Sequence, residues 1–357
     1  MMGKQRIPVM LTGIGGGGHG EQILKALKLA ETDYEIIGCD MSPNSLGLAE
    51  VDTPYVVPPA SSEEYLPEIL RLCRKHGVKA LFHGSEPELK VFSANRERIE
   101  SEGIFLPINP RFVIETCMDK FKTMDFLKSN GFRYPETVEI RSGADVDRVD
   151  FLPAIVKPSV GSGGSSNVFL AQTKDELKMF ADYLLPQYQR FIVQEYVGTI
   201  DSEYTVGVLT DMDGTFLNSI AVRKYIMSGL SNRFKMKNRT GRTELGEILA
   251  VSSGVSQGEV GTYPEVTAAC EKIAAALGSR GAINIQCRLF RGEVYVFEIN
   301  PRFSGTTSLR AMAGYNEPDI LVRSRLFGER PPVRFPYRSG LIVRGLKEVF
   351  ISGKSRS

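Results

Sequence analysis

Val294-Tyr-Val-Phe-Glu298-Ile-Asn300-Pro-Arg302-Phe-Ser304-Gly305 is an apolar strand that ends in an acid. Glu298 and Asn300 are two positions apart, so in a strand their side chains share a face. Both offer the hard oxygen donors that Mg²⁺ takes. Arg302 continues the alternation only if the strand persists past Pro301. Asn284 to Phe290 and Glu293 to Ile299 read as a hairpin around Arg291-Gly292. Gln286, on the partner strand, joins the Glu298 face if the turn holds an odd number of residues. A three-residue loop, Phe290-Arg291-Gly292, places it there, whereas a two-residue turn sends it to the other face. Read alone, the segment is equally a strand end with a satisfied carboxylate and a Pro-terminated turn.

The 357 residues are too many for one small core and suggest two or three domains. With 42% apolar and 24% charged residues, a folded soluble protein is expected. A formal net charge of +2 gives no electrostatic case for nucleic acid. The five cysteines are scattered without a C-x-x-C pair, which argues against a thiolate zinc site or a disulfide framework. No apolar run reaches the roughly 18 residues of a membrane span. The short apolar run at the N-terminus ends in glycines and reads as a first strand rather than a signal peptide. The expected compartment is the cytoplasm, with no membrane partner.

Residues 7 to 108 alternate short apolar runs with helical patterns. Pro8 to Thr12, Glu35 to Cys39 and Lys79 to His83 read as strands, and Gln22 to Ala30 and Leu66 to His76 as helices. That is a βαβ series with a parallel sheet. Gly13, Gly15 and Gly18 fit G-x-G-x-x-G, and Asp40 follows behind the second strand, the pattern of a dinucleotide site. Ile108-Asn109-Pro110 marks a boundary, with Asn109 a candidate helix cap. Helices then run to Ser129. From Phe151 the pattern is β-rich. Phe191 to Tyr196, Glu203 to Thr210 and Thr215 to Val222 read as strands of one antiparallel sheet. The segment 223–242 carries seven Lys or Arg and no acid, and suits closure over an anionic substrate or a solvated loop.

A second glycine run follows the strand Ala154 to Lys157. Gly161, Ser162, Gly163, Gly164 and Ser165 precede another short strand, so the pair forms a hairpin with a Gly/Ser tip. Lys157 can meet phosphate oxygens as a point charge, and the glycines let backbone N–H groups form an anion nest. The lysine precedes the loop, so this is not a Walker P-loop. The plain alternative is a flexible turn beside a solvated lysine. Further on, Gln194-Glu195-Tyr196-Val197 ends a strand and exposes backbone groups that can pair with an adenine edge. Glu203 opens the next strand and could accept from ribose hydroxyls.

In chain order these pieces are Met118-Asp119-Lys120, Val156-Lys157-Pro158 with the Gly/Ser loop, Val193 to Val197, Glu203, Asn284-Ile285-Gln286 and Phe297 to Ser304. The series resembles the ATP-grasp superfamily, most closely the large subunit of carbamoyl phosphate synthetase and its single-unit relatives. The resemblance covers nearly the whole chain. It implies an α/β and α+β chain: a Rossmann-like N-terminal domain followed by an ATP-grasp fold of two α+β subdomains. The expected divisions are 1–110, then 111–190 with linker helices, small subdomain and phosphate lid. The central subdomain with the metal site is 191–330, and 331–357 is a C-terminal strand and tail. It further implies that Lys120, Lys157 and the lid from Gly161 to Ser165 hold ATP phosphates. Gln194, Glu195, Tyr196 and Val197 form the adenine hinge, with Glu203 at the ribose. Gln286, Glu298 and Asn300 match ligands of Mg²⁺ or Mn²⁺, and Asn284 and Arg302 match residues near the transferred phosphate. The carbamoyl phosphate synthetase subunit carries two such units and this sequence only one. Ile108-Asn-Pro-Arg-Phe112 repeats the letters of Ile299 to Phe303 but lacks the glutamate.

The implied reaction activates a carboxylate as an acyl phosphate and couples it to an amine, forming ADP. Small-molecule carboxylate and amine substrates are expected, and a homodimer is compatible. Alternatives in the same superfamily are a carboxylase or a carbamoyl-phosphate-type kinase. From other classes, an NAD-dependent oxidoreductase would use the first glycine loop, and a regulatory protein would bind nucleotide without turnover. The resemblance turns the first glycine loop toward the acceptor substrate. Gly15, Gly16, Ser85, Glu86 and Arg310 are the substrate-site candidates.

Overall fold

The computed structural model describes residues 6–15, 17–161 and 167–347. Gly16 and Ser162, Gly163, Gly164 and Ser165 lie outside the described residues.

The first half is a βα series: β1 (Ile7–Thr12), α1 (His19–Lys28), β2 (Tyr34–Asp40), β3 (Thr53–Val56), α2 (Tyr65–His76), β4 (Ala80–Phe82), α3 (Glu86–Ala94) and α4 (Arg96–Glu100). The strands pair in parallel in the order β3-β2-β1-β4. Ile23, Leu24, Ala26 and Leu27 form the buried stripe of α1, as a helical period requires. The helix begins close to the strand ends because glycines permit it. A Cβ on Gly20 would lie 2.1 Å from the Gly13 carbonyl oxygen, and one on Gly84 2.2 Å from that of Thr12. The sequence pattern contained no signal for β3, whose Thr-Pro-Tyr-Val is half exposed at the sheet edge.

Asn109 does more than a helix cap. Its amide nitrogen donates to the carbonyls of Ala282 (2.9 Å) and Pro301 (3.2 Å), and its oxygen accepts from Ser279 Oγ and Arg280 N–H, both at 2.9 Å. Pro110 takes the capping position instead. Helices α5 (Arg111–Cys117) and α6 (Lys120–Ser129) follow, the second capped by Asp119, whose carboxylate accepts from the Phe121 and Lys122 N–H groups.

Next come β5 (Thr137–Ile140), β6 (Ala154–Pro158), β7 (Phe169–Ala171), α7 (Lys174–Leu184) and β8 (Phe191–Glu195). They make a small antiparallel sheet of order β5-β8-β6-β7 with α7 on its apolar face. The large sheet takes β9 (Glu203–Thr210), β10 (Phe216–Lys224), β13 (Gly258–Gly261), β14 (Ala282–Phe290), β15 (Glu293–Asn300) and β16 (Gly340–Ile342). Its order is β15-β14-β9-β10-β13-β16, all antiparallel. Between β10 and β13 the chain forms a separate ribbon, β11 (Asn232–Lys237) with β12 (Ile248–Ser252). Helix α8 (Pro264–Leu277) covers one face of the large sheet, and α9 (Thr307–Met312) and α10 (Glu317–Phe327) pack against α1.

Two expected boundaries move. Phe191 to Glu195 pairs with β5 and β6, not with β9, so the small sheet continues past 190 and the division falls after Glu195. The chain breaks direction at Gly198, which has a φ of +71°. Helices α5 and α6 pack mainly on the large sheet, while the start of α6 is also bonded to the small one, through Lys120 N–H to the Ser159 carbonyl and Ser159 Oγ to Asp119. Val113, Cys117, Met124 and Leu127 share the core of the large sheet with Val206, Ile285 and Val296. The parallel half is not separate either. Val9, Leu11 and Ile23 belong to one cluster with Leu209, Ile220, Tyr315 and Leu321.

Candidate active site

The small and large sheets face each other across a cavity of about 420 Å³. Strand β14 and strand β15 form one wall. Their turn has two residues, with Phe290 opposite Glu293 and both Arg291 (φ 53°) and Gly292 (φ 77°) left-handed. The expected three-residue loop is therefore wrong, and by itself this turn would send Gln286 away from Glu298. A bulge corrects it. Cys287 pairs with Val296 and Gln286 with Glu298, which leaves Phe297 as an extra residue. Gln286 Nε2 donates to Glu298 Oε2 at 3.0 Å.

The oxygen of Gln286 accepts from Lys224 Nζ at 3.0 Å. The same ammonium donates to Glu203 Oε1 (3.0 Å) and Ser252 Oγ (2.9 Å). Arg288 binds the other oxygen of Glu203 at 2.9 and 3.1 Å, donates to the Val197 carbonyl at 3.1 Å, and lies 4.4 Å from the Tyr196 ring centroid. Burial alone would raise the Glu203 carboxyl, but Lys224 and Arg288 hold it down at about 2. Glu203 lines the cavity as expected, with both oxygens already bonded to cations.

Lys157 reaches the cavity from the small sheet. Its ammonium donates to Gln194 Oε1 (2.9 Å) and the Phe297 carbonyl (3.4 Å). Burial pushes it down to about 8, opposed by Glu298. The Gln194 side chain thus serves Lys157 from the interior. Glu195 N–H and Tyr196 N–H go to the carbonyls of Glu136 and Pro153. Among the described residues no protein acceptor takes Val197 N–H. Lys120 lines the same cavity. Gly161 leaves β6 with a φ of +77°, and the rest of the predicted lid lies outside the described residues.

Asn284, Asn300 and Arg302 complete that wall. The Asn284 oxygen accepts from Thr205 Oγ1 (2.8 Å) and an Arg310 N–H (2.5 Å), so its amide NH₂ is the group these bonds leave over. Arg302 donates to Glu86 Oε1 at 3.0 Å and to the Phe303 carbonyl, while its Nε has no partner among the described residues. Despite burial, Glu86 is held below the usual carboxylate range by Arg302.

The substrate candidates separate. Glu86 lines the cavity. Gly15 does not: its N–H donates to Asp40 Oδ2 at 2.8 Å, and the other Asp40 oxygen accepts from Ser42 N–H. That carboxylate is occupied where a dinucleotide site would offer it to ribose. Ser85 caps α3 by accepting from Glu88 N–H. Arg310 is fully buried, paired with Glu317 at 3.2 Å, and acts behind Asn284 rather than in the cavity. Gly18 of the same glycine run does line the cavity, together with Gly17 and His19. Of the basic segment only Lys224 and Arg233 line it, while Arg239 and Arg242 pair with Glu176 and Glu195. Sequence reasoning missed Lys224, Arg288 and His19. Lys224 and Arg288 were legible only as charges breaking apolar strands.

A divalent metal fits this wall in part. Glu298 and Asn300 present oxygens beside Lys157, and Mg²⁺ commonly takes one or two carboxylates and completes its shell with phosphates and water. Gln286 does not fit as a ligand, because its oxygen is bonded to an ammonium. Among the described residues no cluster of three His, Cys, Asp or Glu could hold a metal by itself.

The fold sets two facing antiparallel sheets, with a cavity between them, beside a parallel βα half. Residues 187–349 match the family described as ATP-grasp in the biosynthetic pathway with Ter operon, and residues 11–107 the PylC-like N-terminal domain. Over residues 187–349 the chain is thus similar to ATP-grasp domains. It is 27% identical over 296 residues to the carbamoyl phosphate synthase large chain of Thermoplasma volcanium, covering 80% of this chain and 27% of that one. The chain thus spans about a quarter of that relative's length. A solved ADP complex of N5-carboxyaminoimidazole ribonucleotide synthetase superposes with a TM-score of 0.65 at 12% identity, covering 94% of this chain and 81% of that one. An L-amino acid ligase from Bacillus licheniformis superposes at 0.62 and 19% identity, covering 92% and 78%. At those identities the superpositions show the fold. No helix among the described residues is long and apolar enough to cross a membrane.

Proposed function

We propose that this chain is an ATP-dependent, ADP-forming ligase that converts a carboxylate to an acyl phosphate and passes the acyl group to an amine. The observation that carries this is a single cavity lined by Lys120, by Lys157 from the small sheet, and by Lys224, Asn284, Glu298, Asn300 and Arg302 from the side of the large sheet. These groups position and neutralise phosphates, and phosphoryl transfer asks for little else. Val197 N–H suits N1 of adenine, and Arg288 fixes the hinge by holding the Val197 carbonyl. Lys157 and Lys120 would bind phosphate oxygens, while Asn284 and Arg302 would donate to the phosphoryl group in transfer. Glu298 and Asn300 would hold Mg²⁺, which when bound neutralises phosphate charge. The carboxylate oxygen attacks the terminal phosphorus and ADP leaves; the amine then attacks the carbonyl carbon and phosphate leaves.

A carboxylase or carbamoyl-phosphate-type kinase shares the first step and differs in what receives the activated group. The oxidoreductase reading leaves the wall from Lys120 to Arg302 without a purpose, and Asp40 is already bonded to backbone. Glu298→Ala should lower ATP turnover by about 10- to 150-fold, since a charge-assisted contact is worth roughly 1.5–3 kcal/mol and each 1.4 kcal/mol is tenfold. The far-ultraviolet circular dichroism should stay unchanged. Turnover retained at saturating Mg²⁺ would remove Glu298 from the metal site. The acid and amine come from a screen of ADP release, with AMP release counting against the reading.

A further inference from the structure

Two histidines sit where the parallel half meets the cavity. His19 opens α1 and lines the cavity, yet is only 7% exposed. His83 follows β4 directly behind it, and the rings meet edge to face with centroids 5.2 Å apart. His19 Nε2 lies 3.3 Å from His83 Nδ1, and that same His83 Nδ1 lies 3.2 Å from the Ser85 carbonyl oxygen. A carbonyl oxygen only accepts, so His83 Nδ1 carries the proton. His19 Nε2 then faces a donor and accepts. A neutral imidazole has one proton, and on His19 it sits on Nδ1. Among the described residues no protein group bonds His19 Nδ1.

Burial, then Arg302, then His83 hold His19 well below the ordinary histidine range, and burial with Arg302 brings His83 to about 3. The charged groups on the elements packed around the pair are Arg302, Glu86 and Glu88, Glu21 bonded to Lys25, and Arg344 from the C-terminal segment. Arg302 spends one N–H on Glu86 and one on the Phe303 carbonyl, and its Nε has no partner among the described residues.

We infer that His19 and Arg302 form the subsite for the carboxylate of the acid being activated, with His19 Nδ1–H as a neutral hydrogen-bond donor to one of its oxygens. An anionic oxygen answers both the unpartnered donor and the Arg302 charge. An incoming ammonium would meet the Arg302 charge and find no acceptor on His19, so His19 is not the base for the amine. When the other carboxylate oxygen takes the phosphoryl group, the remaining carbonyl oxygen keeps the His19 N–H, which then polarises the carbon under attack. His19 gains and loses no proton. This inference rests on the ligase reading above.

The chain has three histidines, His19, His76 and His83, so nitrogen-15 histidine NMR on the full chain can follow each one. His19 should carry its proton on Nδ1 and stay uncharged between about pH 5 and 8. With Mg-ADP present, acetate at roughly 0.1 M, which half-fills even a site with a Kd of that size, should shift the His19 Nδ1–H signal. Inorganic phosphate at the same concentration should not. A proton on Nε2, an ordinary titration near pH 6.5, no response to acetate, or a response to phosphate instead, each overturns the subsite. His19→Asn keeps an N–H near the Nδ1 position and His19→Leu does not. Acetate affinity read at His83 should survive in the first and fall about tenfold in the second; equal losses overturn the donor role. Mg-ADP binding on the same samples keeps the two readings apart. Its absence removes the ligase reading, whereas Mg-ADP binding beside a proton on Nε2 removes the subsite alone.

Discussion

Lys157 shows how a buried cation sets a pH limit on nucleotide use. Burial favours its neutral amine and Glu298 opposes that, leaving the ammonium to titrate at about 8. Phosphate binding needs the charged form, so the free protein loses this contact as pH rises through that value. We expect kcat/KM for ATP to fall roughly tenfold per pH unit above it, while kcat holds to higher pH because bound phosphate retains the proton. A kcat/KM flat to about pH 10 would take Lys157 out of phosphate binding. Lys157, Glu298, Asn300 and Arg302 were legible in the sequence because their chemistry requires those residue types beside glycines or at a strand end. Lys224 and Arg288 were not, since each acts through a partner far away in sequence, Glu203, and no local pattern announces that pairing. Gln286 was placed on the correct face and given the wrong partner: it meets a lysine where a metal was expected.

The β14–β15 hairpin put Gln286 on its expected face by an unexpected route. The alternation from Glu293 to Asn300 marked the strand, but a single sequence does not distinguish a three-residue loop from a tight turn followed by a bulge at Phe297. Both solutions put Gln286 on the Glu298 face, but the loop would set it opposite Val296, whereas the bulge sets it opposite Glu298. The strand Phe191–Glu195 was found and assigned to the wrong sheet, because alternation reports which face is buried and not which neighbour pairs. The first glycine run was read as a turn, and the turn holds, but its packing partner is another glycine loop. A Cβ on Gly84 would lie 2.2 and 2.3 Å from the carbonyl oxygens of Thr12 and Gly13, both backbone atoms that cannot step aside. Gly84→Ala should therefore destabilise the protein by about 1–3 kcal/mol, the cost typical of overpacking, read as a lower urea midpoint at unchanged m-value. An unchanged midpoint would mean that β1 and β4 separate more easily than their packing indicates.

The two halves are joined by a shared apolar cluster and by Asn109, which ties the end of the parallel half to Ala282 and Pro301 at one end of the β14–β15 wall, where β14 starts and β15 stops. Asn109→Ala would strand those carbonyls and the Arg280 N–H, at roughly 1–3 kcal/mol for each buried group left unpaired. The expected result is a large drop in unfolding free energy with weakened nucleotide binding, and calorimetry with a Mg-ADP titration would read both. Loss of stability with binding intact would mean that the wall holds its shape without this tie. The order of domains was legible because βα alternation gives way to a β-rich half. The closeness of their packing was not, because Leu209 and Tyr315 carry no mark of facing Val9 rather than solvent or each other. The central claim is that the nucleotide lies between the facing sheets and not on the first glycine loop. Calorimetric titration of the full chain with Mg-ATP and, separately, with NAD tests it most directly. The account predicts saturable Mg-ATP binding that Glu298→Ala weakens, and no NAD binding. Tight NAD binding without Mg-ATP binding would contradict it.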